Sequence, residues 1–394
     1  MRPLTKRPSA TRMGIRLRNA LSGQTAIISA YLLVVLVLYI QLAVSGRYNN
    51  FIIFRSSWSH LLAGLPLYDL YPGEYFDYFL YHPSFPVLFS PFAALPAKAG
   101  LLCWLTFSAA IFLYAVHRLP LPERTRHTLA WCLLLELGNA LQSSQTNPAM
   151  TAFMLLTLVH LQKEEPAKAA AFTCLAFFIK GYGAIVGLLF VFYPKRWQYV
   201  NYCLLFGVTG TLLPLLFISP ETLTAYYTAW VQLLTGSTIK EDGSLLGSLR
   251  YITGLAAPYT DVVLLAGMFL LAGIFTTALV RRPRGSAMLV LAALMIWIVI
   301  FNQSAESPTY VIAVTGAAMA LLMPPMQPVA RYLLITMLVV TCLCPTDLVP
   351  KAINNIAVTY RVKALPCVAV LLYIQWRLLT LTPDRLRQKS PAML

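Results

Sequence analysis

Residues 25–44 read TAIISAYLLVVLVLYIQLAV, an apolar block of 20 residues without a charge. A helix of about 20 apolar residues spans the hydrocarbon core of a bilayer. A similar block, VVLLAGMFLLAGIFTTALV, lies at 262–280. Only 11% of the 394 residues are charged, whereas a soluble domain has about 25%. The sequence therefore predicts an all-α polytopic membrane protein, with one membrane domain over 23–380 and about 10–13 transmembrane helices.

The net charge of +16 comes from basic residues at the ends of these blocks. Basic turns lie at KEEPAK (163–168), PKRW (194–197) and RRPRG (281–285), and the tail 1–22 is basic without an acid. Cytoplasmic segments of membrane proteins carry such an excess of lysine and arginine. We therefore expect a protein of a bacterial inner membrane whose tails 1–22 and 381–394 both lie on the cytoplasmic side. The expected partner of the basic residues is the lipid bilayer, and no nucleic acid is expected.

With both tails on one side, the chain crosses an even number of times, and one consistent path has about twelve crossings. The expected crossings lie near 25–45, 81–97, 100–117, 148–162, 169–179, 182–193, 199–217, 262–280, 286–302, 309–323, 332–346 and 362–377. On this path the basic stretch 118–127 lies outside, and 128–142 is a candidate re-entrant helix. The path also places outside the loops 47–80 and 218–260, together with 145–147, Lys180, Glu306 and 347–361.

A lysine interrupts the apolar stretch LAFFIKGYGAIV at 175–186. Neither flanking run, 169–179 or 182–193, reaches the length of a membrane-spanning helix, and a charge at the bilayer centre costs at least about 2.5 kcal/mol. We therefore expect the chain to turn at Lys180, with Gly181 and Gly183 supplying backbone freedom. The ammonium then either meets a ligand at the external tip of a hairpin or extends to the interface.

Only 14 acidic residues are present, so any acid–base chemistry depends on few side chains. Three of them, Asp69, Glu74 and Asp77, alternate with aromatic residues in the external stretch YDLYPGEYFDYFLYHPSFP. Aromatic residues are common at membrane interfaces, but aromatic faces beside carboxylates also suit a sugar, whose ring stacks and whose hydroxyls donate hydrogen bonds. This loop is therefore a candidate sugar site.

An ordered series of motifs runs through most of the chain. The series begins with Asn50-Phe51, HLLAGLPLY (60–68), YHPSF (81–85) and PFAALP (91–96). It continues with SSQTNPAMTAFMLLTLVHLQ (143–162), AFFIKGYGAIVGLLFVFYPKRW (176–197) and FNQSAESPTYVIAV (301–314). This series resembles glycosyltransferase family 87. The resemblance implies a GT-C-like fold and an enzyme that moves a sugar, typically mannose, from a polyprenyl-phosphate donor. The acceptor would be a hydroxyl of a glycan or glycolipid at the external face.

The resemblance also implies roles for individual residues. Lys180 would face the donor phosphate, which suits a compact ammonium beside apolar walls. Arg361 and Lys363 would assist it. The candidate sugar- and acceptor-binding residues are Asn50, Asp69, Tyr81, His82, Gln145 and Asn147. For Gln145 and Asn147, capping of the helix that begins at Pro148 is the alternative role.

One position departs from the family pattern. The family usually has an aspartate, proposed as the general base, where this chain has Asn50, and an amide does not accept a proton at neutral pH. We expect another carboxylate to serve, in the order Glu306, Asp77 and Glu74. Glu306 comes first because a short turn between two helices favours burial and a raised pKa. A different register, or loss of transfer activity, would also explain Asn50.

Two other function classes remain open at this stage. A transporter or flippase for a lipid-linked substrate also uses broken helices, although the break at Lys180 has no counterpart elsewhere. A non-catalytic protein that binds a lipid-linked sugar would fit Asn50. No cofactor or metal is expected, since a lipid-phosphate donor does not require a divalent ion and the seven cysteines, none in a CxxC pair, look like buried thiols.

Overall fold

The computed structural model describes residues 23–236, 243–254, 259–302 and 304–382. Within these ranges the chain forms helices and no strand, and five of the helices are long and apolar enough to cross a membrane. The expected all-α polytopic membrane fold is therefore confirmed. The expectations for the tail 1–22, and for all but the first two residues of 381–394, fall outside the described residues.

The first half of the chain forms eight α-helices and a long 3₁₀ helix. They are α1 (Gln24–Ser45), α2 (Asn49–Leu62), α3 (Phe85–Ala93), α4 (Ala97–Arg118), α5 (Glu123–Gln142), α6 (Asn147–Gln162), α7 (Pro166–Ile179), the 3₁₀ helix Gly181–Phe192 and α8 (Arg196–Leu212). Proline occupies the first turn of α3, α6 and α7, where its fixed φ favours a helix and its missing N–H is not needed.

The second half is built in the same way. It comprises a 3₁₀ turn (Leu213–Leu216), α9 (Pro220–Gly236), α10 (Leu245–Thr253), α11 (Thr260–Arg281), α12 (Ser286–Ile300), a 3₁₀ turn (Ser307–Thr309), α13 (Tyr310–Leu322), α14 (Pro328–Thr336), a π-helical stretch (Met337–Leu343), α15 (Lys351–Thr359), a 3₁₀ turn (Val362–Ala364) and α16 (Leu365–Thr380).

Burial separates the helices into an inner and an outer group. Nearly every residue of α6, α12 and α13 is buried, so these helices form the centre of the bundle. The helices α1, α8 and α11 instead expose large apolar side chains, such as Leu33, Leu204 and Phe269. In an aqueous protein such surfaces would be costly, but in a bilayer they face lipid.

Two segments depart from the expected path. The expected crossing at 81–97 contains only α3, whose nine residues extend about 14 Å and do not span a bilayer. In contrast, α5 is a continuous helix of 20 residues rather than a short re-entrant one. Its end lies at the cavity described below, so its start, with the basic stretch 118–127, lies about 30 Å away at the opposite end of the bundle. The expectation that 118–127 lies on the same side as Lys180 is therefore wrong.

The chain does turn at Lys180. Helix α7 ends at Ile179, Lys180 is extended, and the following 3₁₀ helix packs back against α7. A Cβ atom at Gly183 would collide with the carbonyl oxygen of Ala176, so the close return of the chain requires glycine there. Since a 3₁₀ helix rises about 2.0 Å per residue, the 12 residues of Gly181–Phe192 extend about 24 Å.

Candidate active site

A polar cavity of about 300 Å³ opens at one end of the bundle. Its walls come from the end of α1, the start of α2, the loop before α3, the α5–α6 junction, the α7 turn and the loop after α12. The polar and aromatic lining residues are Arg47, Asn49, Asn50, Phe76, Asp77, Tyr78, Tyr81, Gln142, Ser143, Gln145, Lys180, Ser304, Glu306 and Thr309. A groove of similar volume between α1 and α4 has almost wholly apolar walls, so chemistry on a polar substrate belongs to the first cavity.

Asn49 fixes the loop 63–84 over the cavity. Its Nδ2 donates to the carbonyl oxygen of Phe76, and its Oδ1 accepts from the N–H of the same residue at 3.1 Å. This pair of hydrogen bonds imitates one step of a sheet ladder and leaves little freedom at Phe76. Asn50, next in the chain, donates from Nδ2 to the carbonyl oxygen of Ser143 at 2.8 Å and so joins α2 to the α5–α6 junction.

Asp77 lies on this loop at the cavity wall with an unusual backbone. Its φ of 92° falls in the region that favours glycine, and a non-glycine residue there costs on the order of 1–3 kcal/mol. Its Oδ1 accepts from the N–H of Tyr78 at 2.8 Å. The strained backbone and this local bond together direct the carboxylate group at the rim of the cavity.

Lys180 is partly buried, and its Nζ donates to Asn147 Oδ1 at 3.2 Å. The ammonium also lies 5.5 Å from the centre of the Tyr81 ring, whose hydroxyl donates to Gln145 Oε1 at 3.3 Å. In the described part of the chain, no carboxylate lies within ion-pair distance of this ammonium. Because Asn147 begins α6, Lys180 lies at the helix end where the macrodipole is positive.

Glu306 reaches the cavity from the loop between α12 and α13. The sequence suggested a buried carboxyl, but the side chain is exposed to the cavity. Its backbone N–H donates to Thr309 Oγ1 at 3.4 Å, at the start of the turn that leads into α13. Glu306, Asp77 and Lys180 thus line one cavity, although they are far apart in the sequence.

The other two predicted phosphate ligands do not line this cavity. Lys363 forms a buried ion pair with Glu136, with Nζ and Oε1 2.8 Å apart. Arg361 stacks its guanidinium over the ring of Tyr251 at 4.5 Å.

Glu74 and Asp69 also lie outside the cavity lining. Glu74 contacts His60, with Oε1 and Nε2 3.1 Å apart. Partial burial raises the pKa of the Glu74 carboxyl, but hydrogen bonds from His60 and Ser56 and the charge of His60 together hold it below its ordinary value. A lowered pKa makes this carboxylate a weaker base. Asp69 is exposed on the same loop.

His82 is buried behind the cavity rather than in its wall. Its ring packs against the rings of Phe177, Phe178, Tyr227 and Trp230. Its Nδ1 accepts from the N–H of Ser84 at 3.1 Å, so the proton of the neutral ring lies on Nε2. Burial lowers the pKa of the His82 ring, so the ring stays neutral and packs between the loop, α7 and α9.

Sequence reasoning missed several cavity residues. Arg47 is exposed in the lining, directly after the left-handed Gly46 that ends α1. The other polar lining residues without a prior assignment are Asn49, Tyr78, Gln142, Ser143, Ser304 and Thr309. The signal for Arg47 was present, since it is a cation close in sequence to Asn49 and Asn50, at the start of the loop 47–80 that was expected outside the membrane.

The cavity combines groups that could handle a sugar and a charged leaving group. Amide side chains and the Tyr81 ring can hydrogen-bond and stack against a pyranose, two carboxylates can accept a proton, and two cations can hold an anion. Among the described residues, no cluster of histidine, cysteine, aspartate or glutamate is arranged to hold a metal ion.

Comparison with known families gives a clear result. The model for glycosyltransferase family 87 matches residues 79–325, more than half of the chain. The matched segment contains Tyr81, Gln145, Asn147, Lys180 and Glu306, whereas Asn50 and Asp77 precede it. A search of curated proteins finds no significant match. Because the matched segment is extensive and includes most of the cavity, the chain belongs to glycosyltransferase family 87 and is a membrane glycosyltransferase.

Proposed function

We propose that this enzyme transfers one sugar from a polyprenyl-phosphate donor to a hydroxyl of a glycan or glycolipid, with inversion at the anomeric carbon. One observation carries the proposal: an ammonium that has no carboxylate partner among the described residues lines the same polar cavity as two carboxylates. The sugar would be mannose or another hexose or pentose. A lipid-linked donor would reach the cavity through the bilayer.

In this mechanism Lys180 binds the phosphate of the donor. The amino end of α6 adds positive potential at the same place, as helix ends do in many anion sites. As the bond between the anomeric carbon and the phosphate oxygen breaks, negative charge grows on the phosphate. Lys180 then stabilises the leaving group more strongly than it stabilises the intact donor, which is the condition for catalysis.

A carboxylate removes the proton of the acceptor hydroxyl as its oxygen attacks the anomeric carbon. We propose Glu306 for this role, with Asp77 as the second candidate, because both face the cavity while Glu74 contacts His60 outside it. The acceptor proton moves to the carboxylate, the new C–O bond forms, and the phosphate leaves with the electron pair. Asn50 would bind a sugar hydroxyl through its amide.

We also propose that the enzyme lies in a bacterial inner membrane, where the cavity faces the exterior and both termini lie on the cytoplasmic side. The turns at the end opposite to the cavity carry many of the basic residues, including Lys163, Lys195 and Arg282. An excess of this kind marks the cytoplasmic side. With α5 in place of the crossing expected at 81–97, the path keeps about twelve passes and both tails remain on one side.

The proposal is tested by transfer of label from polyprenyl-phosphate-[14C]mannose, and then from the glucose and arabinose donors, in membranes supplied with a lipid and glycan extract. We expect product with the wild type and none above background with Lys180→Ala. Glu306→Gln and Asp77→Asn identify the base, and Lys195→Ala at the opposite end is the matched control. Intact donor binding without transfer from any donor would instead indicate a binding or transport protein.

A further inference from the structure

A second group of charged residues lies beside the cavity and is not used by the mechanism above. It joins α5, the loop after α12 and the turn before α16. Glu136 is 1% exposed and Lys363 is 10% exposed at the side chain, and their charged atoms are 2.8 Å apart. Taking two charges out of water costs several kcal/mol per ion, and the hydrogen bonds of the pair show what it holds in place.

The pair converges on Ser307, the residue after Glu306. Lys363 Nζ donates to the hydroxyl of Ser307 at 3.0 Å and to its carbonyl oxygen at 3.3 Å. Asn139 Nδ2 donates to the same two oxygens, at 3.1 Å and 3.3 Å, and to Glu136 Oε2 at 3.5 Å. Both oxygens of one serine therefore accept from two donors, and both donors are tied to Glu136.

The residue before Glu306 is confined as well. A Cβ atom at Gly243 would collide with the carbonyl oxygen of Ala305, so the two backbones are in direct contact. The hydroxyl of Tyr310 donates to the carbonyl oxygen of Gly243 at 2.5 Å and holds that contact from the other side. Glu306 itself is exposed to the cavity between these two fixed neighbours.

We propose that the Glu136–Lys363 ion pair is a positioning device: by holding Ser307 it fixes the direction in which the Glu306 carboxylate enters the cavity. The inference rests on the proposed role of Glu306 as general base. Glu136, Asn139 and Lys363 are positioning residues, because the contacts place them on Ser307 and not in the cavity lining.

The physical reason lies in the loop around Glu306. Residues 304–306 have no regular secondary structure, and the local contact of Glu306 is the capping box that it forms with Thr309. A carboxylate on such a segment moves with the backbone of its neighbours, so the position of Ser307 sets its direction. A displacement of about 1 Å at a catalytic group can cost on the order of 10²-fold in rate. An ion pair with shared hydrogen bonds fixes distance and direction together, which apolar packing of the same volume does less sharply.

The decisive experiment is a double-mutant cycle on kcat between Lys363→Met and Glu306→Gln. We expect Lys363→Met to lower kcat about 10²-fold, with little change in the donor KM. In the Glu306→Gln background the same change should have almost no further effect, because the group that Lys363 positions is already inactive. An equal loss in both backgrounds, or a raised donor KM with unchanged kcat, would overturn the proposal; the second result would make Lys363 a donor ligand.

Conservative and matched variants separate positioning from folding. Lys363→Arg keeps the charge and should recover most of the kcat lost in Lys363→Met. Glu136→Leu combined with Lys363→Met removes the pair without leaving a buried charge, so the protein should stay folded while kcat remains low. Glu164→Gln with Lys195→Met removes an ion pair of similar length, 2.9 Å, at the opposite end, and should leave kcat unchanged. Full activity of the first double variant would contradict the proposal.

A readout without catalysis distinguishes failure of this inference from failure of the proposed function. Glu306→Cys is labelled with a membrane-impermeant maleimide, and the parent protein is subtracted for its own cysteines. We expect the labelling rate to change several-fold when Lys363→Met or Ser307→Ala is added, and not when Lys195→Met is added. If none of the three added substitutions changes the labelling rate, the positioning role is wrong even when sugar transfer is observed. If the wild type shows no transfer, only the proposed function is contradicted.

Discussion

Lys363, which is buried, and Lys180, which is partly buried, lie at the same end of this bundle, and their surroundings differ. Lys363 touches a carboxylate, a serine and the face of Tyr310 at 4.9 Å. Lys180 donates to one amide oxygen and otherwise faces a cavity beside the ring of Tyr81. The first ammonium is neutralised by the protein, and the second is only held in place.

The difference indicates what each lysine is for. A buried charge with a complete set of partners is costly to disturb, because removal of one partner strands the other. A charge that faces a cavity and, among the described residues, has only an amide as hydrogen-bond partner can attract an anionic ligand. Stability should therefore depend on Lys363, which affects turnover only through the position of Glu306, whereas Lys180 should affect turnover and leave stability unchanged. Three predictions test this separation and a fourth concerns a weaker contact, in order of decreasing effect.

The largest effect is expected on stability, from Lys363→Met. This change leaves Glu136 buried at 1% exposure without its cation, which typically costs about 3–5 kcal/mol. The free energy of unfolding in detergent micelles measures it. Adding Glu136→Leu should recover most of the loss, and a failure to recover would mean that the network contributes through contacts other than the ion pair.

Next in size is the effect of Lys180→Ala on turnover. Loss of the group that stabilises a developing anion typically lowers the rate by about 10²–10³-fold. We expect a fall of this size in kcat/KM for the donor, with an unchanged free energy of unfolding. A large loss of stability together with a small loss of activity would reverse the roles of the two lysines.

A smaller effect should follow from Asn147→Leu. This change removes the oxygen that accepts from Lys180 at 3.2 Å and leaves the ammonium in place but less well directed. A hydrogen bond to a charged group contributes about 1.5–3 kcal/mol, so we expect at least a tenfold loss in kcat/KM for the donor. Asn354→Leu, an exposed amide on α15, is the matched control and should change nothing.

The smallest effect concerns another ionic contact at this end, between His60 and Glu74. Glu74 is 46% exposed, so the contact contributes less than about 1 kcal/mol. The pKa of Glu74 lies below its ordinary value of 4.5 in the folded protein, so the contribution is present above that pH and is lost as the pH falls through the folded pKa. Unfolding of Glu74→Gln should therefore differ from wild type at pH 7, and the two should converge in acid.

Sequence reasoning located the turn at Lys180 because the signal there is local. Lys180 lies between two apolar runs that are each too short to span a bilayer, and glycines follow it. A turn of the chain is one of the few conformations that fit this pattern. Asp77 and Glu306 were named as acids in external loops, but their meeting in one cavity depends on how α2, α7 and α13 pack, which periodicity does not encode.

The same limit explains the failures. The stretch 81–97 is apolar enough to cross, yet its helix α3 has only nine residues. Pro86 lies in the first turn of α3, Pro91 lies inside it, and Pro96 precedes α4 directly, so no long helix forms here. Helix α5 contains Glu136 and Asn139, so its sequence predicts a segment too polar to cross the membrane completely. Asn139 donates a hydrogen bond to Ser307 and Glu136 pairs with Lys363, both more than 160 positions away in the sequence. A local sequence pattern does not predict pairing over such a distance.

The short inner helices have a consequence for where the reaction takes place. The outer helix α1, with 22 residues, extends about 33 Å, whereas α6, with 16, extends about 24 Å. If the two helices reach one level on the side opposite to the cavity, the start of α6, which forms the floor of the cavity, lies below the end of α1. In the proposed mechanism a lipid-borne sugar would then arrive by lateral diffusion with its phosphate near the depth of Lys180, while a water-borne acceptor would have to leave the aqueous phase to reach it. The acceptor, rather than the donor, would then bear the desolvation cost of each encounter.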